Sequence, residues 1–569
     1  MKKSILFLSS AIFILAISIN LFAQSHEMYL TAPTSETYIN QIIMGDTATD
    51  GSRKDLQRVY VLQRGGVWFF NDVIKNIGWD VRIKAEDAAG PKPIIYGAVA
   101  ENSTDVPIDF IDAQGSVYLK NICVNGIKDF DPDYTNWQHK APRELVVWNV
   151  SGNFTLVVDS CILLHAYQAD LRTFSGIRSI VVTNTIFAND GTGTLDNMGD
   201  GRAVDLRKTS CDSLIMVNNT FVNGQDRLVR HISSTASLNF FVFDHNTVVN
   251  NGGRYGVIAM GLLGSGTKVQ ITNNLWLDPM TFGADTASQR QYDFLETGES
   301  YSATILDKAN QVMIYHQRDT SATSVDNTLQ FNISHNYYAF TKAITDIWAT
   351  LNQFNPILHM PSPLTNFIQS KVSPDAFKNV DPFSFTNVPH TMEDMVYWNL
   401  SPLPTGAGEN SSGGTDFKDF DRRLTTYYRD TLDCTYSNSL PEYTAGTSGY
   451  PLGDLNWFPD KKAAWEAAGG WTDVKTIPGA VPVKYSLEQN YPNPFNPTTK
   501  ITYSIPNESK VKLVVFNILG QQVATLVNSS QLAGSYSVDF NAADLASGVY
   551  IYRLSTQNYT ISKKMLLMK

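Results

Sequence analysis

Seven short stretches of the chain alternate apolar and polar residues in one way: a few apolar positions run into an asparagine or a close substitute, and a few more largely apolar residues follow. They are Val117–Val124, Leu156–Leu163, Ile180–Phe187, Ile215–Val222, Val242–Val249, Val269–Leu277 and a weaker copy at Phe331–Ala339. The Asn-like residues Asn121, Ser160, Asn184, Asn219, Asn246 and Asn274 stand 39, 24, 35, 27 and 28 residues apart. A recurring period with insertions marks a solenoid. Val, Ile, Phe and Thr on either side favour strands, and no helical period of comparable strength runs between the blocks.

A strand, a corner and a second strand cannot bury their apolar faces alone, whereas stacked repeats cover one another and make one continuous core. Asn suits the corner because it tolerates a left-handed backbone, and its amide reaches the Asn of the next coil about 4.8 Å away. The pattern predicts an all-β chain built on a parallel β-helix with an asparagine ladder. On these blocks, over roughly residues 30–345, the chain resembles the right-handed parallel β-helix proteins of the pectate-lyase-like superfamily. The resemblance implies the fold alone, because such repeats serve lyases, hydrolases, adhesins and proteins without chemistry.

The 569 residues, 43% of them apolar, can bury a large core and imply more than one domain. Lys2, Lys3, an apolar run from Ile5 to about Ile19 and small residues near Ala23 make residues 1–24 a secretory signal peptide. No cysteine stands near its exit, which argues against a lipid anchor. No later stretch is apolar enough to span a bilayer, so the mature chain is expected to have no transmembrane segment. A formal charge of −10 argues against a nucleic-acid partner. Cys123, Cys161, Cys211 and Cys434 show neither a disulfide framework nor zinc-ligand spacing. Cys123 and Cys161 fall on consecutive coils one place out of register, which turns them to opposite sides of the sheet and favours buried free thiols.

The β-helix is expected over residues 25–345, an irregular region over 346–476 and a linker over 477–484, where Pro478, Pro482 and Gly479 resist regular structure. The irregular region, rich in Pro, Asn, Tyr and Trp, needs a surface to lie on. It is expected to cover the C-terminal end or a flank of the solenoid, closed by Leu452–Trp457 and a helix over Asp460–Ala468. The matching N-terminal cap is expected around Tyr60–Lys84, with Trp68 and Phe70 covering the first coil.

From Tyr485 to Lys569 short strands alternate with Gly and Asn turns, which predicts a small C-terminal β-sandwich. Tyr491-Pro-Asn-Pro-Phe-Asn-Pro497, the Leu519-Gly-Gln521 turn, Ser547–Tyr552 and the Lys563–Lys569 end follow one another in order. On these motifs the segment resembles the type A C-terminal sorting domain of the type IX secretion system. That implies export by the signal peptide, then passage across the outer membrane by the type IX machinery, with the cargo secreted or held at the outer cell surface. A carbohydrate-binding or fibronectin-like sandwich is the alternative for this segment.

A further strand is expected before each Asn block, among them Ala169–Thr173, Val204–Lys208 and Leu228–His231. If Leu171 and Leu206 point inward, alternation turns Asp170, Arg172, Asp205 and Arg207 outward, with the two Asp-x-Arg pairs stacked and Arg230 or His231 extending the column. Guanidinium forks match carboxylate or sulfate, so such a face suits an extracellular acidic polysaccharide. Solvated ion pairs satisfying each other across coils are the alternative. Lys208-Thr-Ser210, Asn219–Asn223, Leu228-Val-Arg-His231 and Asn250-Asn-Gly252 resemble the series of the chondroitinase B and alginate lyase family over about 45 residues. The resemblance implies β-elimination, with Lys208 taking the C5 proton, Arg230 assisting the leaving oxygen and His231 on the motif histidine. Ile232 stands where that family has Gly, and its acidic calcium cluster has no clear counterpart.

No metal or other cofactor is certain. Asp190, Asp196, Asp200 and Asp205 around Gly191–Gly201 could hold calcium or form an ordinary solvated loop. His165, His245 and His335 lack a common ligand spacing, and His245 and His335 read as substitutes in the corner ladder. Asp170 with Asp205 could serve as a glycosidase pair. The sequence leaves two functions open, an acidic-polysaccharide lyase and a non-catalytic adhesin or glycan-binding surface protein on the same scaffold.

Overall fold

The computed structural model describes residues 26–470 and 485–568, except 101, 128–140, 192–200, 208, 233–236, 253–256, 261–262, 280, 282–303, 306–311, 315–327, 352–375, 390–392, 394–395, 397–431, 469, 491, 506–508, 532–533, 544 and 557–558. Each coil contributes one strand to each of three sheets. The leading sheet stacks Asp109–Ala113, Glu144–Trp148, Ala169–Thr173, Arg202–Arg207, Val229–Ile232 and Ile258–Met260. The middle sheet stacks the first strand of every Asn block, from Val117–Lys120 through Thr155–Asp159, Ile177–Thr183, Cys211–Val217, Leu238–Asp244 and Leu263–Thr272 to Gln330–Ser334. The trailing sheet stacks the short second strands, from Cys123–Asn125 to Asn336–Ala339. Neighbouring coils pair in parallel, as Leu156 with Ile180 and Ile180 with Leu214. This is a parallel β-helix.

The interior is apolar. Ile111, Val146, Leu171, Val204, Val229 and Ile258 line it from the leading sheet, and Leu119, Val158, Val182, Met216, Phe243 and Ile271 from the middle sheet. Phe187, Phe221, Phe243 and Trp276 form an aromatic column, with ring centroids 5.0, 5.8 and 6.3 Å apart. Such contacts add about 0.5–1.5 kcal/mol each beyond the area they bury.

The corner divides between two adjacent residues what the sequence assigned to one. The left-handed residues are Asn121, Ser160, Asn184, Asn218, His245, Asn273 and His335. The ladder belongs to the next residue: Asn219 Nδ2 donates to Asn246 Oδ1 at 3.0 Å, Asn246 to Asn274 at 3.2 Å and Asn274 to Asn336 at 2.7 Å. In the same ladder Asn246 Nδ2 also donates to the Met216 carbonyl at 3.0 Å. The first coils lack the ladder amide, since Ile122, Cys161 and Thr185 occupy that position. His245 and His335 are therefore left-handed corner residues one place before the ladder, and not substitutes within it. A second left-handed row closes the trailing strands at His165, Asn189, Asn223, Asn250 and Asp278.

Cys123 pairs with Ile162, so Cys161 is one place out of register, and all four cysteines are buried thiols outside any disulfide. At the N-terminal end Tyr60, Trp68 and Phe70 are buried as expected, but the helix Ile39–Gly45 adds Ile39 and Ile43 to the same core. The outer face of the trailing sheet is not left to solvent: Cys123, Leu164, Val222, Val249 and Leu277 are packed beneath Phe383, Phe385, Leu432, Tyr436 and Leu452. Leu455 and Trp465 likewise cover Val181, Ile215, Val217 and Val242 on the outside of the middle sheet, with Trp465 carried on the helix Pro459–Ala467. No helix among the described residues is long and apolar enough to cross a membrane.

The C-terminal unit is antiparallel. Thr498–Ile505 pairs with Ser486–Leu487 and Gly534–Asn541, while Ser509–Asn517 lies between Gln522–Gln531 and Gly548–Ser555, with Thr560–Leu567 at the edge. Ile501, Tyr503, Leu513, Val515, Tyr552, Leu554 and Leu567 form its core. The lysine-rich end is thus a strand, in which Met565 and Leu567 point inward between exposed residues.

Candidate functional site

The leading sheet brings together Arg172, Asp205 and Arg230, but in a register two residues away from the one the Asp-x-Arg repeat suggested. Ala169 pairs with Arg202, so Arg172 stands level with Asp205, and Asp205 with Arg230. Opposite charges stack as a result. Arg230 closes on Asp205 with Nε at 2.9 Å and Nη2 at 2.8 Å, and Arg172 Nε lies 3.0 Å from the same carboxylate. Glu144 extends the column at 2.7 Å from Arg172, and Arg202 joins Asp226 at 2.9 Å. Asp205 is 0% exposed, Arg172 2% and Arg230 5%. Burial opposes the charge on Asp205, yet Arg230, Arg202 and Arg172 outweigh it and hold its carboxyl well below the usual carboxylate range. What alternation presented as an open charged face is a sealed ion-pair column.

Asp170 is not part of it. It falls in line with Leu145 and Ala203, both part of the apolar core. Burial first, and Asp190 beside it second, raise its pKa well above the ordinary value. No pairing of Asp170 with Asp205 exists. His231 also points into the core, level with Leu206 and Met260, with Nε2 3.2 Å from the Thr209 carbonyl. Arg207 is half-buried at the strand end, level with Ile232. Lys208, Asp196 and Asp200 lie outside the described residues. Among the described residues no group of three or more His, Cys, Asp or Glu is arranged to hold a metal.

A different site emerges where the covering segment meets the corner row. Lys462 Nζ donates to Asn184 Oδ1 at 2.7 Å, the Leu455 amide to Asn218 Oδ1 at 3.3 Å, and the Thr447 amide and hydroxyl to Asn273 Oδ1 at 2.8 and 2.9 Å. Gly453, at φ +82°, lets the segment touch the solenoid: a Cβ there would stand 2.5 Å from Thr247 Oγ1. Successive corners are thus gripped by successive parts of one segment. At the end of the row, a cleft of about 650 Å³ opens between them.

Gln270, Thr272, Asn332, Ser334 and His335 line this cleft from the solenoid, and Thr447, Ser448, Tyr450 and Trp465 from the covering segment. Gln270 and Asn332 are register partners on adjacent strands, as are Thr272 and Ser334, so the lining repeats at the coil spacing. Asn332, Thr447 and Ser448 are exposed and Gln270, Ser334, His335 and Tyr450 half-buried. Asp244 forms the floor and is fully engaged: Thr272 Oγ1 donates to it at 2.6 Å and Asn273 Nδ2 at 2.8 Å, while His245 Nδ1 lies 3.0 Å away. Burial would raise its pKa, but His245, Thr272 and Asn273 hold it below the ordinary value. His245 in turn meets the Trp465 ring edge-on at 5.1 Å and fixes that wall.

None of the cleft's polar residues was singled out as a site from the sequence. Their signal was faint: two histidines in a row of asparagines, and outward amides at alternate positions of Val269–Thr272 and Phe331–Ser334. Comparison with known proteins adds one assignment. Residues 489–568 match the family model described as the secretion system C-terminal sorting domain. No curated protein matches the chain. The last strands are therefore an export address, and the protein is a cargo of the type IX secretion system, bound for the cell surface or for secretion.

Proposed function

We propose that the exported β-helix binds an extracellular polysaccharide, and that the contact site is the cleft between the corner row and the covering segment. The observation that carries this is the lining of the cleft: amides and hydroxyls from register-paired strands face Tyr450 and Trp465, the mixture of hydrogen-bonding groups and aromatic surface that carbohydrate recognition uses. Export to the cell surface places such a site where these polymers are. Affinity electrophoresis of the purified exported protein through gels containing neutral or acidic polysaccharides tests it. Retardation by at least one polymer is expected, and unchanged mobility in every gel would refute it.

β-Elimination of an acidic polysaccharide on the leading sheet is the alternative, with Lys208 as base, Arg230 and His231 beside it and Asp170, Arg172, Asp205 and Arg207 holding the substrate. Arg207, half-buried at the end of its strand, favours it. The closure of Arg230 on Asp205 and the inward placement of His231 and Asp170 speak for a structural role instead. Incubation with alginate, pectate and glycosaminoglycans in the presence of calcium, followed by ultraviolet absorbance of the unsaturated product, separates the two.

A further inference from the structure

We infer that the cleft takes a neutral polysaccharide rather than an acidic one; the inference rests on the binding function proposed above and names the class of ligand. Among the described residues that line the cleft there is no lysine or arginine. Lys462, on the helix that carries Trp465, donates to Asn184 and Asn456 at 2.7 and 2.6 Å and is spent on holding the segment down. The carboxylate in the floor, Asp244, is 3% exposed and already accepts hydrogen bonds from Thr272 and Asn273, so it adds no group that a cationic or anionic ligand could pair with.

A uronate or sulfated chain laid in this cleft would give up hydration around each charge with no lysine or arginine of the described lining to pair with, which is unfavourable. Sugar hydroxyls face no such penalty. Gln270 and Asn332 each offer an amide that both donates and accepts, and Ser334, Thr447 and Ser448 offer hydroxyls that do the same. The half-buried Tyr450 ring supplies a face for the apolar side of a pyranose, and the buried Trp465, held by His245, backs it. Because the lining recurs on adjacent coils, a linear chain running along the solenoid axis meets equivalent groups at successive sugars.

The test is binding of the purified exported protein to soluble β-glucan, galactomannan and xylan, set against alginate, polygalacturonate and chondroitin sulfate. Each polymer is tested at low and at high salt. Wild type is compared with Asn332→Ala and with the Asn332→Ala/Tyr450→Ala double variant, and thermal melts confirm that each is folded. At least one neutral polymer should bind, with an affinity that falls about tenfold or more in the double variant and is insensitive to salt. Binding confined to acidic polymers and weakened by salt would overturn the neutral assignment while leaving polysaccharide binding intact. Neutral binding that survives the double substitution would move the site elsewhere and overturn the inference. Failure of all six polymers would remove both the inference and the function it rests on.

Discussion

Replacing Asp205 by Asn tests whether the charges of the leading sheet serve the fold. The side chain is 0% exposed and meets Arg230 at 2.9 and 2.8 Å, Arg172 at 3.0 Å and Arg202 at 3.7 Å. An amide keeps the shape but removes the negative charge and turns an N–H₂ group toward the guanidinium groups. Breaking a buried pair in this way costs about 3–5 kcal/mol, and loss of the two charge-assisted bonds from Arg230, at about 1.5–3 kcal/mol each, gives an overlapping range of about 3–6 kcal/mol. Urea unfolding at pH 7, followed by tryptophan fluorescence, measures it. Asp205→Leu combined with Arg172→Met and Arg230→Met should recover much of the loss, because Glu144 keeps Arg143 at 2.6 Å and Arg202 keeps Asp226 at 2.9 Å.

The pH dependence gives a second reading of the same group. The folded-state pKa of Asp205 is depressed, with burial opposing its charge and Arg230, Arg202 and Arg172 prevailing. Its contribution is therefore present above the unfolded value of about 3.9 and is lost as pH falls toward the folded one. The stability gap between wild type and Asp205→Asn should be full at neutral pH and narrow below about pH 4. A loss under about 1 kcal/mol at pH 7, of the size of a solvated surface pair, would refute the buried-column account.

Asn246→Ala removes donors to the Met216 carbonyl and Asn274, and the acceptor of two bonds from Asn219, at 3.0–3.2 Å. Each buried group left unsatisfied costs about 1–3 kcal/mol, so accelerated amide exchange at Asn219 is expected, and unchanged protection there would count against the ladder. Asp170 is raised by burial and by Asp190, so its contribution is present below the unfolded value and lost as pH rises through the folded one. Asp170→Asn should melt higher than wild type at about pH 8 and by a smaller margin near pH 4; equal margins would contradict this. Truncation before Tyr485 removes the matched sorting domain, and fractionation with immunoblotting should then find the protein in the periplasm instead of the surface or medium.

Much of the fold was legible because stacking in parallel demands the same thing of every coil. Val, Ile and Phe at alternate positions before an asparagine corner can only recur at such spacing if neighbours cover one another. The sorting domain was legible from short motifs in fixed order. Misplacement began where one residue was given two tasks: the left-handed turn and the amide ladder fall on neighbouring residues, which coincide in type only at Asn218-Asn219 and Asn273-Asn274. Giving both tasks to one residue put His245 and His335 in the ladder, where Asn246 and Asn336 stand instead.

The leading sheet failed for a related reason. Asp170-Leu-Arg172 and Asp205-Leu-Arg207 look equivalent, but the register is set by where each strand leaves its corner, and Ala169 pairs with Arg202. Stacked like charges give way to stacked opposite ones, and Asp170 turns inside. The cleft was least visible of all. Its walls come from Gln270, Asn332 and Tyr450, which only the folding of the covering segment onto the corner row brings together.

Hydrogen exchange measured by mass spectrometry, with and without a bound polysaccharide, tests directly where this protein makes contact. Slowed exchange over Gln270–Asn273, Asn332–His335 and Thr447–Tyr450, with Arg202–Arg207 and Val229–Ile232 unchanged, is the predicted result. Protection of those two leading-sheet strands, with none at the cleft, would contradict it.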